Sequence, residues 1–380
     1  MNKLKILIIL SVMIGIPIYA EIQVNTSSKG TGAKSITAFD RVGERKLGGY
    51  FDTEYFYMND DISTFKAHRF ILQASSQVHE RVLVNSEIEF KYGGYLNSVD
   101  TDSAGELKLE QAWADFALND TNFLRAGILL VPFGIVNILH DSDVRDTTQR
   151  PLYAEYIVPT TWTDTGVGVH GTLDVAEAEV NYEVYTINGL AGNDFDDESG
   201  LRNLRPNFKQ DNNSKPAMTG RVGISPFLGL EVGVSGYVGQ HDDENGITLV
   251  GLDQFWKKGP FEIMFEWAKA HIDPDDSIGN VSGINGYYIE SRYHFFPSFL
   301  KNNIIADGFN NPTFTLFSRF GRVDLDENND TKGQKSRITI GMNYRPTDTV
   351  VFKVEGQLGY EESDAKKSES GIISSIAVGF

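Results

Sequence analysis

Apolar and polar residues alternate with a period of two along most of this 380-residue chain, which predicts β-strands with one polar and one apolar face. In residues 82–92, for example, Glu87 and Glu89 alternate with apolar residues. The alternating segments are residues 47–57, 82–92, 176–186, 230–238, 261–267, 287–295, 314–323, 337–344, 350–357 and 371–380, with mixed alternation in 65–75, 107–118 and 248–256. Such a series of segments of about ten residues is typical of a transmembrane β-barrel.

The connections between these segments alternate in length. Short turns such as 118–122 and 257–260 alternate with long connections rich in Asp, Asn and Gly, such as 189–215. In membrane barrels short turns face the periplasm and long loops face outward. We therefore predict an all-β fold over residues 46–380, an antiparallel transmembrane barrel of about sixteen strands. The connection 296–312 departs from the rule, because it is long and falls on the predicted periplasmic side.

Residues 131–162 show neither strand nor helix periodicity, although alternating segments flank them. Pro132, Gly134, Pro151 and Pro159 interrupt this stretch. Structureless loops longer than about 15 residues are usually functional or disordered, and the high apolar content of this one argues against disorder. We predict that this third outer loop folds into the mouth of the barrel and narrows a pore.

The first residues have the pattern of a secretory signal peptide. Lys3 and Lys5 precede an apolar run over residues 6–16, and Pro17 breaks this run ahead of Ala20. The apolar run has about 11 residues and is too short for a transmembrane helix, which needs about 20. We predict a cleaved signal peptide over residues 1–20 and a periplasmic segment over residues 21–45. Export of such a barrel places it in the outer membrane of a Gram-negative-type bacterium.

Composition excludes several classes of protein. The formal net charge is −18, and an acidic chain lacks the basic face that binding to nucleic acid requires. The chain contains no Cys, which excludes disulfide scaffolds, thiolate metal sites and cysteine nucleophiles. The 37 Gly residues and 12% aromatic residues fit a barrel with glycine bends and aromatic girdles.

The sequence predicts no catalytic residue, no cofactor and no metal site. The seven His residues are scattered without metal-ligand spacing. We single out His140, beside Asp141 in the third loop, and interpret it as a solvated polar residue. Residues 166–171 match a dinucleotide fingerprint formally, but they lie within a predicted strand and no helix follows. Residues 324–328 begin like a calcium loop, yet Asn329 and Lys335 occupy the positions of the turn Gly and the bidentate Glu. Weak calcium binding by this outer loop stays open.

The central stretch resembles one known family. The segment Leu124-Arg-Ala-Gly-Ile-Leu-Leu-Val-Pro-Phe-Gly134 is followed by Arg150-Pro151 and then by Pro159-Thr-Thr-Trp-Thr-Asp-Thr-Gly166-Val-Gly-Val-His-Gly171. This is similar to the phosphate-selective porin O and P family, in which a Pro-Phe-Gly motif leads into the third outer loop. The resemblance implies a sixteen-stranded outer-membrane porin that is usually trimeric, with the third loop folded inward.

The predicted site residues fall into two groups. The pore constriction comprises Arg145, Arg150, Asp141, Asp143, Asp146 and Glu155. The lumen wall comprises Glu87, Glu89, Lys91, Arg221, Arg292, Arg319, Arg337 and Lys353, together with further acids that include Glu177, Glu266 and Glu355. Members of the family that select phosphate use lysines near the constriction, but this third loop contains no Lys. Because rings of acid favour cations, we expect weak selectivity that leans towards cations, and phosphate specificity is not carried over.

The predicted function is passive diffusion of small hydrophilic solutes or ions through a water-filled porin that performs no chemistry. The predicted partners are outer-membrane lipid, two further copies of the chain in a homotrimer, and the ions or solutes in transit. Phe380 ends an amphipathic segment and resembles the assembly signal of outer-membrane barrels. A surface adhesin or antigen, and an outer-membrane enzyme on a barrel scaffold, are the alternatives.

Overall fold

Sixteen antiparallel strands form one closed barrel in the computed structural model of the chain. The structure describes residues 42–59, 62–94, 105–191, 199–206, 208–209, 211–273, 281–309, 311–328, 333–361 and 370–380. The strands are β1 (Arg45–Met58), β2 (Thr64–His79), β3 (Val82–Lys91), β4 (Glu106–Ala117), β5 (Asn122–Leu130), β6 (Thr163–Val175), β7 (Ala178–Ile187), β8 (Ala217–Phe227), β9 (Leu230–Gln240), β10 (Gly246–Lys258), β11 (Phe261–Ile272), β12 (Gly283–Phe295), β13 (Thr313–Asp324), β14 (Gln334–Thr347), β15 (Val350–Glu361) and β16 (Gly371–Gly379). The predicted signal peptide (1–20) and most of the predicted periplasmic segment (21–45) lie outside the described residues.

Each strand pairs with its neighbours in sequence, and β1 pairs with β16 to close the sheet. The register of this seam runs from Met58 opposite Gly371 to Tyr50 opposite Gly379. Closure removes the exposed sheet edges, whose unpaired backbone groups a lipid bilayer does not tolerate. The predicted all-β barrel and its strand number are confirmed, and the three segments with mixed alternation are strands.

The two faces of the strands differ in polarity and in exposure. In β9, Val232, Val234 and Val238 are exposed, whereas Glu231 and Ser235 on the other face are buried. The same inversion recurs around the barrel, with apolar side chains exposed and charged side chains buried. A soluble protein buries its apolar face instead, so the exposed apolar surface fits contact with lipid.

Aromatic side chains form a belt near the short-turn end of β11 to β15. Phe261 lies 4.9 Å from Tyr293, and Phe314 lies 4.7 Å from Tyr344, between ring centroids. Such girdles are typical of the two membrane–water interfaces of barrels. Separately, none of the helices in the described part of the chain is long and apolar enough to cross a membrane.

Two predictions about local structure need correction. Residues 176 and 177 form the turn between β6 and β7, so Glu177 is exposed and does not belong to the lumen wall. Ala176 has a positive φ of 54°, which suits a tight turn and interrupts the alternation there. The third loop, predicted without regular structure, contains one turn of π-helix at Tyr153–Ile157.

Candidate functional site

Hydrogen bonds join the two ends of the third loop, residues 131–162, at its base. The Val131 N–H donates to the Trp162 carbonyl oxygen at 3.0 Å. The Asn137 amide links both ends, because its Nδ2 donates to the carbonyl oxygens of Val131 (2.8 Å) and Trp162 (3.0 Å), and its Oδ1 accepts from the Trp162 N–H (2.8 Å). These bonds satisfy buried backbone groups that the loop would otherwise leave unpaired.

The apolar side chains of the third loop are buried in one hydrophobic cluster. The loop contributes Phe133, Ile135, Val136, Leu152, Tyr153, Ile157, Val158 and Trp162. Strands β7 and β9 to β13 contribute Tyr185, Tyr237, Leu249, Met264, Tyr288 and Val323, among others. The loop therefore packs against the buried faces of these strands, and its apolar content serves this packing.

Glu266 of β11 binds the first part of the loop. Its Oε2 accepts from the Ile135 N–H at 2.9 Å, and its Oε1 accepts from the Val136 N–H at 2.8 Å. Gly134 precedes this pair with φ +67°, and a Cβ there would lie 2.1 Å from Glu266 Oε2. The Gly134 N–H donates to Ser235 Oγ at 3.0 Å. The turn after Phe133 thus depends on two features: glycine at position 134, and the Glu266 carboxylate that accepts the next two backbone N–H groups.

Strand β15 binds the middle of the loop. Glu355 accepts from the N–H groups of Thr148 (2.7 Å) and Gln149 (3.1 Å). Two residues earlier on the same face, Lys353 Nζ donates to the carbonyl oxygens of Ser142 and Thr147, the latter at 3.2 Å. On one face of β15, an acid therefore accepts from loop backbone N–H groups, and a base two residues earlier donates to loop carbonyl oxygens.

Asp146 at the loop tip is surrounded by three donor side chains from two strands, β12 and β14. Arg292 of β12 lies 3.5 Å away, Arg345 of β14 lies 3.2 Å away, and Asn343 Nδ2 donates to Asp146 Oδ1 at 2.9 Å. Burial would raise the pKa of Asp146, but Arg292 and Arg345 hold it well below its usual value. Asp146 is therefore an ionised anchor of the loop.

The other wall arginines also bind the loop or neighbouring acids. Arg319 donates to Thr147 Oγ1 and to the Gln149 carbonyl oxygen, both at 3.0 Å. Arg337 lies 3.0 Å from Glu155. Arg221 instead pairs within the wall, with Asp253 and with Glu231. Most predicted wall charges are thus engaged in contacts.

Arg145 and Arg150 bind backbone carbonyls of their own loop. Arg145 donates to the carbonyl oxygens of His140 (3.1 Å) and Thr148 (2.9 Å), and Arg150 donates to that of Thr160 (2.6 Å). Among the described residues, neither guanidinium lies within 4.0 Å of a carboxylate. Burial, followed by the positive charge of Arg69, lowers the pKa of both. Their positive charge is not neutralised by direct ion pairs with these residues.

The structure places the remaining predicted site residues on the buried face of the barrel or in the loop. Glu87, Glu89, Arg221, Arg319, Arg337 and Lys353 are buried, and Lys91 and Arg292 are half-buried. Asp143 is buried, whereas Asp141 and Glu155 are half-buried. Phe380 lies at the closing seam, where its N–H donates to the Gly49 carbonyl oxygen at 2.9 Å.

A family model described as phosphate-selective porin O and P matches residues 47–370, which covers nearly all of the barrel. This chain belongs to the phosphate-selective porin O and P family. A relative in Aquifex aeolicus (strain VF5), named as an uncharacterized protein, is 26% identical over 359 residues, covering 87% of this chain and 78% of that protein.

Solved structures of outer-membrane proteins share the fold. The anion-selective porin from Comamonas acidovorans has a TM-score of 0.54 at 11% identity, over 89% of this porin and 98% of that chain. OmpT of Vibrio cholerae in its trimer form has a TM-score of 0.55 at 9% identity, over 90% and 100%. The outer-membrane channel DcaP of Acinetobacter baumannii has a TM-score of 0.52 at 13% identity, over 89% and 98%. Family and fold together make this porin an outer-membrane channel.

Two cavities of this porin meet at one loop residue. Tyr92 and Arg202, from long connections, line a cavity of about 460 Å³. Gly259 and Asp348, from short turns, line a second cavity of about 230 Å³. Arg145 lines both cavities. The larger cavity is basic, because six Lys and Arg side chains but two Glu side chains line it: Lys66, Arg69, Lys91, Arg145, Arg150 and Arg202 against Glu54 and Glu155.

The alternation in the sequence does not identify several residues that bind the loop. Asn343, Arg345 and Ser235 were not predicted as site residues, and Glu266 and Glu355 were predicted to face water in the wall. Nothing in the local alternation separates an acid that binds a loop from one that faces water, since both occupy the same face of a strand. One sequence signal does indicate which strands contact the loop: apolar residues at positions where the alternation predicts polar ones. In β10, Ile247 and Leu249 occupy such positions and are buried beneath the loop.

Proposed function

We propose that this porin is a water-filled channel for passive diffusion of small hydrophilic solutes and ions, narrowed by the third loop lying in its lumen. One observation carries the proposal: the loop bonds to side chains on the buried faces of β9, β11, β13, β14, β15 and β16. These six strands lie within the run from β9 to β16, which is half of the sixteen strands of the closed sheet. A single segment reaches all of them most directly from inside the barrel.

The proposed path joins the two cavities past Arg145. The 460 Å³ cavity would open towards the long loops and the 230 Å³ cavity towards the short turns. Asp141, Asp143, Asp146, Arg150 and Glu155 would shape the constriction around Arg145. Diffusion along this path requires no chemistry, so we propose a channel without enzymatic activity, which a hydrolase assay on the purified protein tests.

We propose that the pore prefers anions weakly, which differs from the cation preference expected from the acid count. The acids Glu266 and Glu355 bind loop backbone, and Glu231 pairs with Arg221, so they add little negative potential to open water. The basic lining of the larger cavity favours anions, since charges in a narrow mouth with low-dielectric walls act strongly. Phosphate specificity is not part of this proposal.

We further propose that the chain is exported by its predicted signal peptide, inserts into the outer membrane of a Gram-negative-type bacterium and assembles as a homotrimer. The family and the fold support the outer-membrane location. The trimer form of Vibrio cholerae OmpT, which shares the fold, supports the trimer. Chemical crosslinking in native membranes, with a three-copy band as the expected result, tests the assembly.

Conductance of single channels in a planar bilayer tests the constriction. Glu266→Ala leaves the Ile135 and Val136 N–H groups without their acceptor, and Glu355→Ala does the same for Thr148 and Gln149. We expect a small, steady conductance for the wild type and a larger, noisier conductance for both variants. Heat-modifiable migration on a gel verifies that each variant keeps its barrel.

The matched control is Glu183→Ala in β7, because the Glu183 carboxylate accepts from Tyr185 of the same strand at 2.8 Å. This control should conduct like the wild type. A wild type without conductance would refute the channel and leave a plugged, adhesin-like barrel. Equal conductance in the wild type and both anchor variants would show that the third loop does not set the constriction.

A further inference from the structure

Three clusters in the described part of the barrel combine two carboxylates with one imidazole, with one candidate ligand atom of each residue within 4.8 Å of the others. They are Asp52, Glu54 and His68; Glu87, Glu110 and His140; and Asp146, Glu262 and His294. Two carboxylates and an imidazole are a common ligand set for divalent transition metals. The clusters differ in whether their candidate ligand atoms already contact other protein groups.

Protein groups occupy the first and third clusters. His68 Nδ1 lies 2.7 Å from Asp52 and 3.2 Å from Glu54, so it already bridges both carboxylates. Arg292 lies 3.5 Å from Asp146 and 3.3 Å from Glu262, where it takes the place that a cation would have.

The second cluster is fully buried and unsatisfied. The exposed fractions of Glu87, Glu110 and His140 are 1%, 0% and 1%. Both carboxylate oxygens of Glu110, Oε1 of Glu87 and Nε2 of His140 make no hydrogen bond with the described residues. The positive charges of Arg69 and Lys108 act on Glu110 electrostatically, and the Thr161 hydroxyl lies beside its carboxylate. Carboxylates buried without direct partners are costly unless a cation binds them.

A bulge in β4 aims Glu110 into this cluster. Glu87 of β3 pairs with Gln111, and the next residue of β3, Ile88, pairs with Leu109, so Glu110 is the extra residue of β4. Bulges re-aim side chains and recur beside functional sites. Here the bulge brings Glu110 to the buried face, next to Glu87.

The surroundings also orient the ligand atoms. His140 Nδ1 lies 3.0 Å from the Asn137 carbonyl oxygen, and because a carbonyl can only accept, Nδ1 donates there and Nε2 is the ring nitrogen left for a ligand. Gln111 Nε2 donates to Glu87 Oε2 at 2.7 Å, which leaves Oε1 for a ligand. His140 Nε2 lies 3.7 Å from Glu110 Oε1 and 3.5 Å from Asp141 Oδ1. Two ligands that share one tetrahedral metal ion are separated by a similar distance, about 3.4 Å.

We propose that Glu87, Glu110 and His140 bind one divalent transition-metal ion, such as Zn²⁺ or Mn²⁺, with Asp141 as a further ligand. The ion joins the third loop to β3 and β4, whereas Glu266 and Glu355 hold the loop to β11 and β15. The proposed metal site does not depend on the proposed channel function. The expected effect of bound metal on conductance does rest on that function.

Metal content of the folded full-length chain in detergent, without a polyhistidine tag, tests the site. The protein is stripped with EDTA, dialysed separately against Zn²⁺ and Mn²⁺, and measured by inductively coupled plasma mass spectrometry and titration calorimetry. We expect one ion per chain for the wild type and at least tenfold weaker binding for Glu110→Gln and for His140→Gln. His140 lies in the loop, so its variant tests the site even if Glu110→Gln fails to fold.

Glu262→Gln and His294→Gln, which alter the third cluster, are the matched controls and should keep the ion. Binding of no ion by the wild type, or equal binding by all variants, would overturn the site. We also expect added metal to reduce the current noise of wild-type channels and to leave Glu110→Gln channels unchanged. Metal binding without any change in current would keep the site and count against the third loop as the constriction.

Discussion

The charged residues of the barrel wall act mainly through the groups that they contact. Glu266 and Glu355 each accept two backbone N–H groups of the third loop. Arg319 and Lys353 bind loop oxygens. The sequence supports the prediction that such residues occupy the polar face of strands, because the two-residue period sets the face. It cannot tell which of them face water, because that depends on where a distant loop folds.

Gly134 offers a test of the loop anchor at a single residue. In Gly134→Ala the new Cβ would lie 2.1 Å from Glu266 Oε2, at a φ of +67° that disfavours side chains. We expect the contacts of Ile135 and Val136 with Glu266 to break, at about 1–3 kcal/mol for each buried group left unpaired. Limited proteolysis of the folded protein should then cut the third loop faster than in the wild type.

Gly236→Ala is the control for that substitution, because its Cβ would meet no atom within 4 Å and its φ is not positive. It should keep the wild-type rate of cleavage. Unchanged protection of the third loop in Gly134→Ala would mean that Glu266 is not needed to hold the loop.

At the scale of the strands, the alternation in the sequence predicts a strand most clearly where one face contacts lipid and the other contacts polar groups. Strand β9 alternates clearly for this reason. In β10, Ile247 and Leu249 pack against the loop cluster while Val250 and Leu252 are exposed, so both faces are apolar. The mixed alternation of residues 248–256 is therefore a consequence of loop packing. The bulge at Glu110 similarly weakens the pattern in β4.

The last strand offers a test of barrel closure. Phe380 exchanges backbone hydrogen bonds with Gly49 (2.9 and 3.1 Å), and its ring stacks on that of Phe70 with centroids 5.9 Å apart. Deleting Phe380 removes this end of the seam between β1 and β16, so we expect normal export but less barrel in the outer membrane. Membrane fractionation with heat-modifiable migration measures this.

Phe380→Tyr serves as the control for the deletion, because it keeps the backbone contacts and an aromatic ring that is 55% exposed. We expect it to insert like the wild type. Normal outer-membrane levels of the truncated chain would contradict the predicted role of Phe380 in assembly.

For the whole molecule, the net charge of −18 says little about the pore. The charge of the whole chain includes the exposed loops and turns, whereas an ion in the pore responds to the charges that line its narrow, water-filled part. Folding brings Lys66 and Lys91 from β2 and β3 together with Arg202 from a long connection. No sequence window contains all three, so the basic cavity appears only in the folded barrel.

Replacing these three residues tests the weak anion preference of the whole pore. Arg145 and Arg150 are poor choices, because they donate short hydrogen bonds to the loop backbone (2.9 and 2.6 Å), whereas Arg202 donates only a long one, 3.4 Å from the Thr160 carbonyl oxygen. In a Lys66→Gln, Lys91→Gln, Arg202→Gln variant, we expect the reversal potential under a KCl gradient to move towards cation preference. The triple variant removes half of the six basic side chains that line the cavity, so the shift should be measurable at low salt.

Lys258→Gln with Lys301→Gln is the control, because both residues are exposed at the short-turn end and line neither of the two cavities. This pair should leave the reversal potential nearly unchanged, although it lowers the charge of the chain by two. The shift in the triple variant should shrink as salt rises, because the Debye length falls from about 10 Å at 0.1 M to about 3 Å at 1 M. A cation-selective wild type, or equal shifts in the triple variant and the control, would mean that the basic cavity does not lie on the path of the ions.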